Sequence, residues 1–383
     1  MLLKLKDLKS KKIVVFGTGI SNISLMKYLD FNNVDYTVVG NDVSFPKLIK
    51  QDSAKDILQS CDVIFLSPGI DKNIDILKNY NDKITNEIEL AFQNTNLPIF
   101  SITGTNGKTT CVTMLGKLLE EIGYVPFVGG NIGRPFCDIL LDKKKYDCIV
   151  LELSSFQLES LFTFKSLAAA ILNISFHHGE RYKSLDDYAK AKSHIFDRCD
   201  FKIQNLDVNN NLDYSRMKLR GEHNKINFSY VYALATKFTN SLSVDFMNKF
   251  IQSFKGVEHR LEYVSEGFYN DAKSTNIDST IKALESFDKP VNLIMGGKLR
   301  GRGDSISLHI NFLRSKVKRL ILIGESAKLL SEEIDFDHEV YNSLDDINFS
   351  TFEGDVLYSP AYPSFDQYNN YKERGEHFKR LVK

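Results

Sequence analysis

Threonine, glycine and lysine stand together in Ser101-Ile102-Thr103-Gly104-Thr105-Asn106-Gly107-Lys108-Thr109-Thr110. That mixture suits phosphate chemistry. A glycine-containing loop ahead of a helix turns backbone N–H groups and the positive end of the helix dipole toward one anion. Lys108 can reach terminal phosphates, and the Thr109 hydroxyl can sit on magnesium. The general phosphate loop has a glycine five residues before Gly107, where this chain has Ile102, so GTNGKT is a shortened variant. Farther on, Glu152 ends the apolar run Cys148-Ile149-Val150-Leu151. A carboxylate at a strand end beside a phosphate loop is a candidate magnesium ligand, because hard cations prefer oxygen. His177, His178, Glu180 and Arg181 form a titratable cluster. Lys192 interrupts an expected apolar stripe of Leu185, Tyr188, Ala189, Ile195 and Phe196, while Lys190 and His194 face away. A lysine on an apolar face is costly unless partnered or chemically altered.

These groups need elements to hold them. Leu97 to Ile102 reads as a buried strand leading into the loop. Behind it, Val112, Leu115, Leu118, Leu119 and Ile122 recur at helical spacing, and Gly123 stops the helix. Gly129-Gly130-Asn131-Ile132-Gly133 reads as a loop open to close ligand approach, and Ala168 to Leu172 as another buried strand. Ser184 with Asp187 predicts the start of the helix that carries Lys192.

Upstream, the strand Ile13 to Phe16 runs into Gly17-Thr18-Gly19-Ile20-Ser21-Asn22 and a helical segment through Leu29. This opens like a dinucleotide fingerprint, but Asn22 occupies the third glycine position. Strands Tyr36 to Val39 and Val63 to Leu66 follow, the first ending near Asn41 and Asp42, the second running into Ser67-Pro68-Gly69-Ile70. A nicotinamide site and a nucleotide-sugar site both fit that pattern. Downstream, strands are predicted at Val291 to Met295, Leu320 to Ile323 and Asp355 to Tyr358. The expected architecture is α/β with three domains. A Rossmann-like N-terminal domain spans 1–95, a central parallel-sheet domain with the phosphate loop spans 96–256, and a Rossmann-like C-terminal domain spans 257–383.

Composition narrows the field. In 383 residues, Lys plus Arg and Asp plus Glu both number 49, which argues against bulk binding to nucleic acid or anionic membrane. No apolar run reaches the ~18 residues of a membrane-spanning helix, and the basic start lacks a signal-peptide core. Five cysteines without CxxC spacing suggest reduced thiols and a cytoplasmic location. A monomer is expected.

The ordered series GTNGKTT, GGNIG, LELSSFQLE, a histidine loop and YAKAK resembles the Mur ligase family of ATP-dependent amide-bond-forming enzymes. Gly221-Glu222-His223-Asn224-Lys225-Ile226-Asn227 is similar to its GxHNxxN segment, and His259-Arg260-Leu261-Glu262 to its interdomain HRxE hinge. Asp271-Ala272-Lys273-Ser274-Thr275-Asn276 is similar to its D-x-K-x-TN loop. SPGI at 67–70 and Ser359-Pro360-Ala361-Tyr362-Pro363-Ser364-Phe365-Asp366-Gln367-Tyr368 resemble the branch that adds D-glutamate. The resemblance implies an acyl-phosphate route joining D-glutamate to UDP-N-acetylmuramoyl-L-alanine, with ATP and two magnesium ions. ATP would be held by Gly104, Thr105, Asn106, Gly107, Lys108, Thr109, Thr110, Asn224, Arg260 and Asp271. Metal would be held by Thr109, Glu152, His178 and a carbamylated Lys192; Lys108, His178 and Lys192 would be catalytic. Ile20, Ser21, Asp42 (or Asn41), Gly69, Asn131, Ser154 and Gln157 would take the nucleotide sugar. Lys273, Thr275, Arg300, Ser364, Phe365 and Tyr371 would surround D-glutamate, with Lys298 and Arg302 as other bases in the same turn. Two alternatives are a folylpolyglutamate-synthase-like ligase, which would lack the first domain, and a nucleotide-binding switch without ligase chemistry. Family acids before the histidine are replaced here by Phe176-His177.

Overall fold

The computed structural model describes residues 1–41, 48–175, 181–239, 242–299 and 306–383. Asp42, His178 and Arg300, with His177 and Arg302, lie outside the described residues. The chain divides into two compact units, Met1–Val208 with Asn227–Ser243 and Asn209–Ile226 with Val244–Lys383.

The first unit holds two parallel sheets. Strands β1 (Ile13–Phe16), β2 (Thr37–Gly40), β3 (Ile49–Lys50), β4 (Val63–Leu66) and β5 (Ile84–Thr85) lie in the order β3-β2-β1-β4-β5. Strands β6 (Ile99–Thr103), β7 (Pro126–Gly130), β8 (Cys148–Glu152), β9 (Ser166–Ile171) and β10 (Cys199–Gln204) lie in the order β10-β9-β6-β8-β7. Every residue of β1, β4, β6 and β8 is buried. Their apolar runs do not alternate because helices cover both faces of a parallel sheet.

The second unit holds β11 (Glu262–Ser265), β12 (Phe268–Asn270), β13 (Val291–Gly296), β14 (Val317–Ile323), β15 (Glu339–Tyr341) and β16 (Val356–Tyr358), in the order β11-β12-β16-β13-β14-β15. The β11–β12 pair is antiparallel and the other pairs are parallel. No helix among the described residues is long and apolar enough to cross a membrane.

Two readings change. Gly129 and Gly130 are not loop residues: they end β7, paired with Leu151 and Glu152 of β8. Leu185 is not in the apolar stripe, being 45% exposed, and Ala191 takes its place beside Tyr188, Lys192, Ile195 and Phe196. Leu185 has the right helical phase but is the first residue of helix Leu185–Ser193, and it stands exposed at that end, one turn before Tyr188. In strand β10, Cys-Asp-Phe-Lys-Ile-Gln, only Ile203 is buried. An edge strand with charged side chains carries little apolar signal, so sequence patterning passed over it.

The two sheets of the first unit share one hydrophobic cluster, which runs from Val15 and Phe65 through Ile88 to Phe127, Ile149 and Phe164. Buried carboxylates on helix Glu87–Gln93 cross the seam. Glu87 accepts hydrogen bonds from the N–H groups of Cys137 (2.8 Å) and Phe136 (3.4 Å). Glu89 accepts from the N–H groups of Phe162 (2.9 Å), Thr163 (2.9 Å) and Phe164 (3.2 Å). Loop backbone donors that would be stranded between the sheets are thereby satisfied.

Burial pushes the Glu87 carboxyl up from 4.5 to about 7, against the Cys137 and Phe136 N–H groups, which pull it down. Between those two values the folded chain binds a proton that the unfolded chain has released, so this group's contribution to stability falls as pH rises from 4.5 to 7. Glu87→Gln, uncharged throughout, should flatten the stability profile in that window. Urea unfolding of both proteins at pH 5 and pH 8 checks it, and an unchanged pH slope would refute it.

Candidate functional site

Helix Lys108–Glu121 begins at Gly107, whose φ of 82° is a left-handed value that favours glycine. A Cβ there would stand 2.9 Å from the Asn227 Oδ1 atom. The turn therefore needs glycine twice over, for its backbone angle and for space. The loop is pinned from the far side by Asn173, at the exit of β9. Asn173 accepts at its backbone oxygen from the Thr105 N–H (3.0 Å) and at Oδ1 from the Asn106 N–H (2.9 Å). Its amide donates back to the Asn106 carbonyl at 3.1 Å. Asn173 follows the strand expected over Ala168 to Leu172, and that place after a buried strand is the signal the sequence offers for it.

Three other side chains converge on this loop. The Thr109 hydroxyl donates to Glu152 Oε2 at 2.8 Å, and the Asn131 amide donates to Glu152 Oε1 at 2.9 Å. Strand β8 delivers Glu152 buried, with only 2% exposed. Gly130 makes room beside it, since a Cβ at that position would stand 2.4 Å from the Glu152 carbonyl oxygen. A carboxylate and a hydroxyl oxygen side by side, next to a carboxamide, form a set suited to a magnesium ion.

Lys192 is 1% exposed. Its Nζ donates to the Gly104 carbonyl at 3.0 Å, lies 3.5 Å from the Thr103 hydroxyl, and stands over the Tyr188 ring at 4.4 Å. The Lys108 Nζ donates to that same Gly104 carbonyl at 2.8 Å and to the Thr105 carbonyl at 3.0 Å. Desolvation first, and the Lys108 charge second, pull Lys192 down to about 7 from 10.5, with Glu152 acting in the opposite sense. A neutral amine is therefore accessible near neutral pH.

Ser154 and Gln157 form a capping box at the start of helix Ser155–Leu158. The Gln157 carbonyl also accepts from the Asn86 amide at 2.7 Å, so Gln157 is built into the seam between the sheets. In the first sheet, Ile20 is 70% exposed at the head of helix Ile20–Phe31, Ser21 is buried, and Gly69 is exposed after β4. Asn22, in the third glycine position, donates to the carbonyls of Phe16 (3.1 Å), Gly17 (2.9 Å) and Phe65 (3.2 Å). It ties the glycine loop to β4, where the fingerprint glycine would have permitted close helix packing.

In the second unit, Asp271 is buried and accepts from the hydroxyls of Ser274 (2.5 Å) and Ser359 (2.7 Å) and the N–H of Leu261 (3.1 Å). Burial pushes its carboxyl up to about 6, opposed by these donors and by Arg260. His259 and Leu261, on either side of exposed Arg260, both hold left-handed backbone angles, φ 60° and 44°. The His259 carbonyl accepts from the Lys273 N–H at 2.9 Å, so one strained turn sets the backbone of both basic residues. Lys273 Nζ lies 6.0 Å from the centre of the Tyr371 ring. Thr275 is half-buried, Ser364 is buried, Phe365 is 67% exposed, and the Asn224 amide donates to the Arg220 carbonyl at 2.6 Å. Among the described residues, one three-ligand cluster has metal-like spacing, Glu258, His259 and Glu376. The Lys379 ammonium already bridges Glu258 (3.0 Å) and Glu376 (2.8 Å), so the two carboxylates of that cluster already share a cation.

The family model described as the Mur ligase middle domain matches residues 102–269. The UDP-N-acetylmuramoylalanine--D-glutamate ligase of Thermoanaerobacter pseudethanolicus is 32% identical over 452 aligned residues, covering 98% of this chain and 99% of that protein. The ligase of the same name from Geotalea uraniireducens is 31% identical over 448, covering 98% of each. Both alignments are longer than the 383 residues of this chain, so these relatives carry segments that it lacks. Two solved structures share the fold. A UDP-N-acetylmuramate-alanine ligase from Thermotoga maritima is 17% identical with a TM-score of 0.56, covering 97% of this chain and 98% of that one. A MurF ligase from the same organism in complex with ADP is 14% identical with a TM-score of 0.53, covering 100% and 97%. With that identity along nearly its whole length, the chain belongs to the Mur ligase family.

Proposed function

We propose that this chain uses ATP to join D-glutamate to the carboxylate of UDP-N-acetylmuramoyl-L-alanine, a step in peptidoglycan precursor synthesis. Full-length relatives bear the name of that ligase. The observation that carries the chemistry is the convergence of Lys108, Thr109, Glu152 and Lys192 on one strand-end loop.

A carboxylate is a poor electrophile. Transfer of the γ-phosphoryl group to a carboxylate oxygen releases ADP and leaves a mixed anhydride. The amine of D-glutamate then attacks the acyl carbon, the C–O bond to phosphate breaks, and the amine loses its proton. The protein's task is to neutralise phosphate charge and align the reacting ends. The 104–110 loop and Lys108 hold the phosphates, assisted by Asn224, Arg260 and Asp271. Thr109 and Glu152 would hold one magnesium ion, and His178 with a carbamylated Lys192 a second. Bound magnesium supplies Lewis-acid charge at the phosphoryl and carboxylate oxygens. The buried lysine fits that assignment: its lowered proton affinity makes the neutral amine available to carbon dioxide, and the product is an anion with two oxygens. Ile20, Ser21, Asp42 or Asn41, Gly69, Asn131, Ser154 and Gln157 take the nucleotide sugar. Lys273, Thr275, Arg300, Ser364, Phe365 and Tyr371 take D-glutamate. The enzyme acts as a cytoplasmic monomer.

Phosphate release should be negligible with either substrate alone and strong when ATP, UDP-N-acetylmuramoyl-L-alanine and D-glutamate are all present. Release indifferent to the UDP substrate would discard this reading, in favour of a folylpolyglutamate-type ligase or a nucleotide switch. Lys108→Ala should lower the rate by about 10²-fold or more with the fold intact. Near-normal turnover at an unchanged melting temperature would remove Lys108 from the phosphate site.

Lys192→Ala should be nearly inactive and regain activity with added acetate; a bare amine in a crystal and no response to bicarbonate would exclude the carbamate. Lys192→Met tests the cost of burial. Below about 7 the native lysine pays the whole desolvation cost of its charge, and the cost fades toward 10.5. Against the parent freed of bicarbonate, in which the amine is bare, the Met variant should therefore melt higher at pH 7, with the gap closing toward pH 10. A lower melting temperature at pH 7 would show the ammonium to be fully compensated.

A further inference from the structure

Arg181 has no role in the reaction as described above, yet its side chain is only 9% exposed. Its Nη2 pairs with Glu159 Oε2 at 2.7 Å, and its Nη1 donates to the Ile70 carbonyl at 3.2 Å. The guanidinium lies over the Phe156 ring at 4.5 Å, and its Nε has no hydrogen-bond partner among the described residues. Ile70 closes the turn after β4 through its N–H to the Ser67 carbonyl at 2.9 Å. A second cation holds the same loop, because Lys72 Nζ donates to the Glu159 carbonyl at 3.0 Å. Loop 67–72 of the first sheet is therefore fastened at Glu159, which follows the short helix after β8.

The contacts continue inward. The Tyr182 hydroxyl donates to Glu159 Oε1, and the Tyr182 ring stacks on Phe156 with centroids 6.0 Å apart. Tyr182 also meets Tyr188 at 5.2 Å, and Tyr188 faces the Lys192 ammonium. An unbroken set of packed groups thus runs from the SPGI loop to Lys192. Burying a guanidinium is costly unless its donors are matched. An arginine suits this position because its planar fork can meet a carboxylate and a carbonyl while stacking on an aromatic ring. Lysine has one point charge and could satisfy only one of those partners well.

We infer that Arg181 is a positioning residue for the nucleotide-sugar substrate. It holds loop 67–72 in register with the helix that carries Lys192, so that the UDP end and the reacting carboxylate are set by one rigid connection. The inference rests on the ligase reading above, in which Gly69 belongs to the nucleotide-sugar site.

The test uses the full chain with Arg181→Ala, Arg181→Lys and Glu159→Gln, following steady-state kinetics for all three substrates and calorimetric binding of UDP-N-acetylmuramoyl-L-alanine. For Arg181→Ala, KM and Kd for the UDP substrate should rise about tenfold or more, the loss expected for a charged hydrogen bond. KM for ATP should change little. Arg181→Lys should fall between parent and Ala, and Glu159→Gln should shift the same constant in the same direction. If Arg181→Ala does not fold, the Lys and Gln variants carry the comparison. Equal rises in all three KM values with a lowered melting temperature would reduce Arg181 to a packing residue and overturn the inference. Unchanged constants for the UDP substrate would overturn it too. Failure of the parent protein to bind that substrate would instead defeat the ligase reading, and this inference with it.

Discussion

Two ammonium groups share one carbonyl, and much of the first unit's chemistry depends on that crowding. Lys108 and Lys192 both donate to the Gly104 oxygen, at 2.8 and 3.0 Å. Lys108 is partly exposed and belongs to the loop itself, whereas Lys192 arrives from a separate helix and is sealed from water. Burial first, and the neighbouring Lys108 charge second, favour loss of the Lys192 proton. Glu152 lies near enough to oppose the loss but spends its two oxygens on Thr109 and Asn131. The buried amine on the Gly104 carbonyl and the carboxylate held by Thr109 and Asn131 are two sides of one electrostatic arrangement.

That arrangement requires rigid support, and the seam between the first two sheets provides it. A single apolar cluster crosses the seam. Glu87 and Glu89 cap the backbone donors of loops 136–137 and 162–164, and Asn86 ties to Gln157. Arg181 adds a tie between the Ile70 carbonyl and Glu159. Loop 67–72 of the first sheet and the glycine loop at 104–110 therefore share one foundation. In the second unit the comparable device is local strain. His259 and Leu261 accept left-handed backbone angles, and Asp271 and the Lys273 backbone hold the turn in that shape. Strain of this kind persists only where surrounding bonds enforce it.

The local sequence was enough to determine the phosphate loop, the strands around it, Glu152 at a strand end and the anomaly of Lys192. Each is a short-range signal: an apolar run, a glycine turn, a cap, or a charge out of phase with its helix. Family motifs spread over the chain, from SPGI to the segment at 359–368, added the substrate class. What the local sequence left undecided depends on partners far along the chain. Gly129 and Gly130 looked like loop residues because glycine has weak strand preference, and only pairing with β8 makes them a strand end. Leu185 and Ala191 exchanged places because burial along a short helix is decided by what packs against each residue. Asn173, 67 residues from Asn106, and Arg181, 111 residues from Ile70, owe their roles to where parallel strands end. A parallel sheet brings distant strand exits to one edge, and no local periodicity records which residues will meet there.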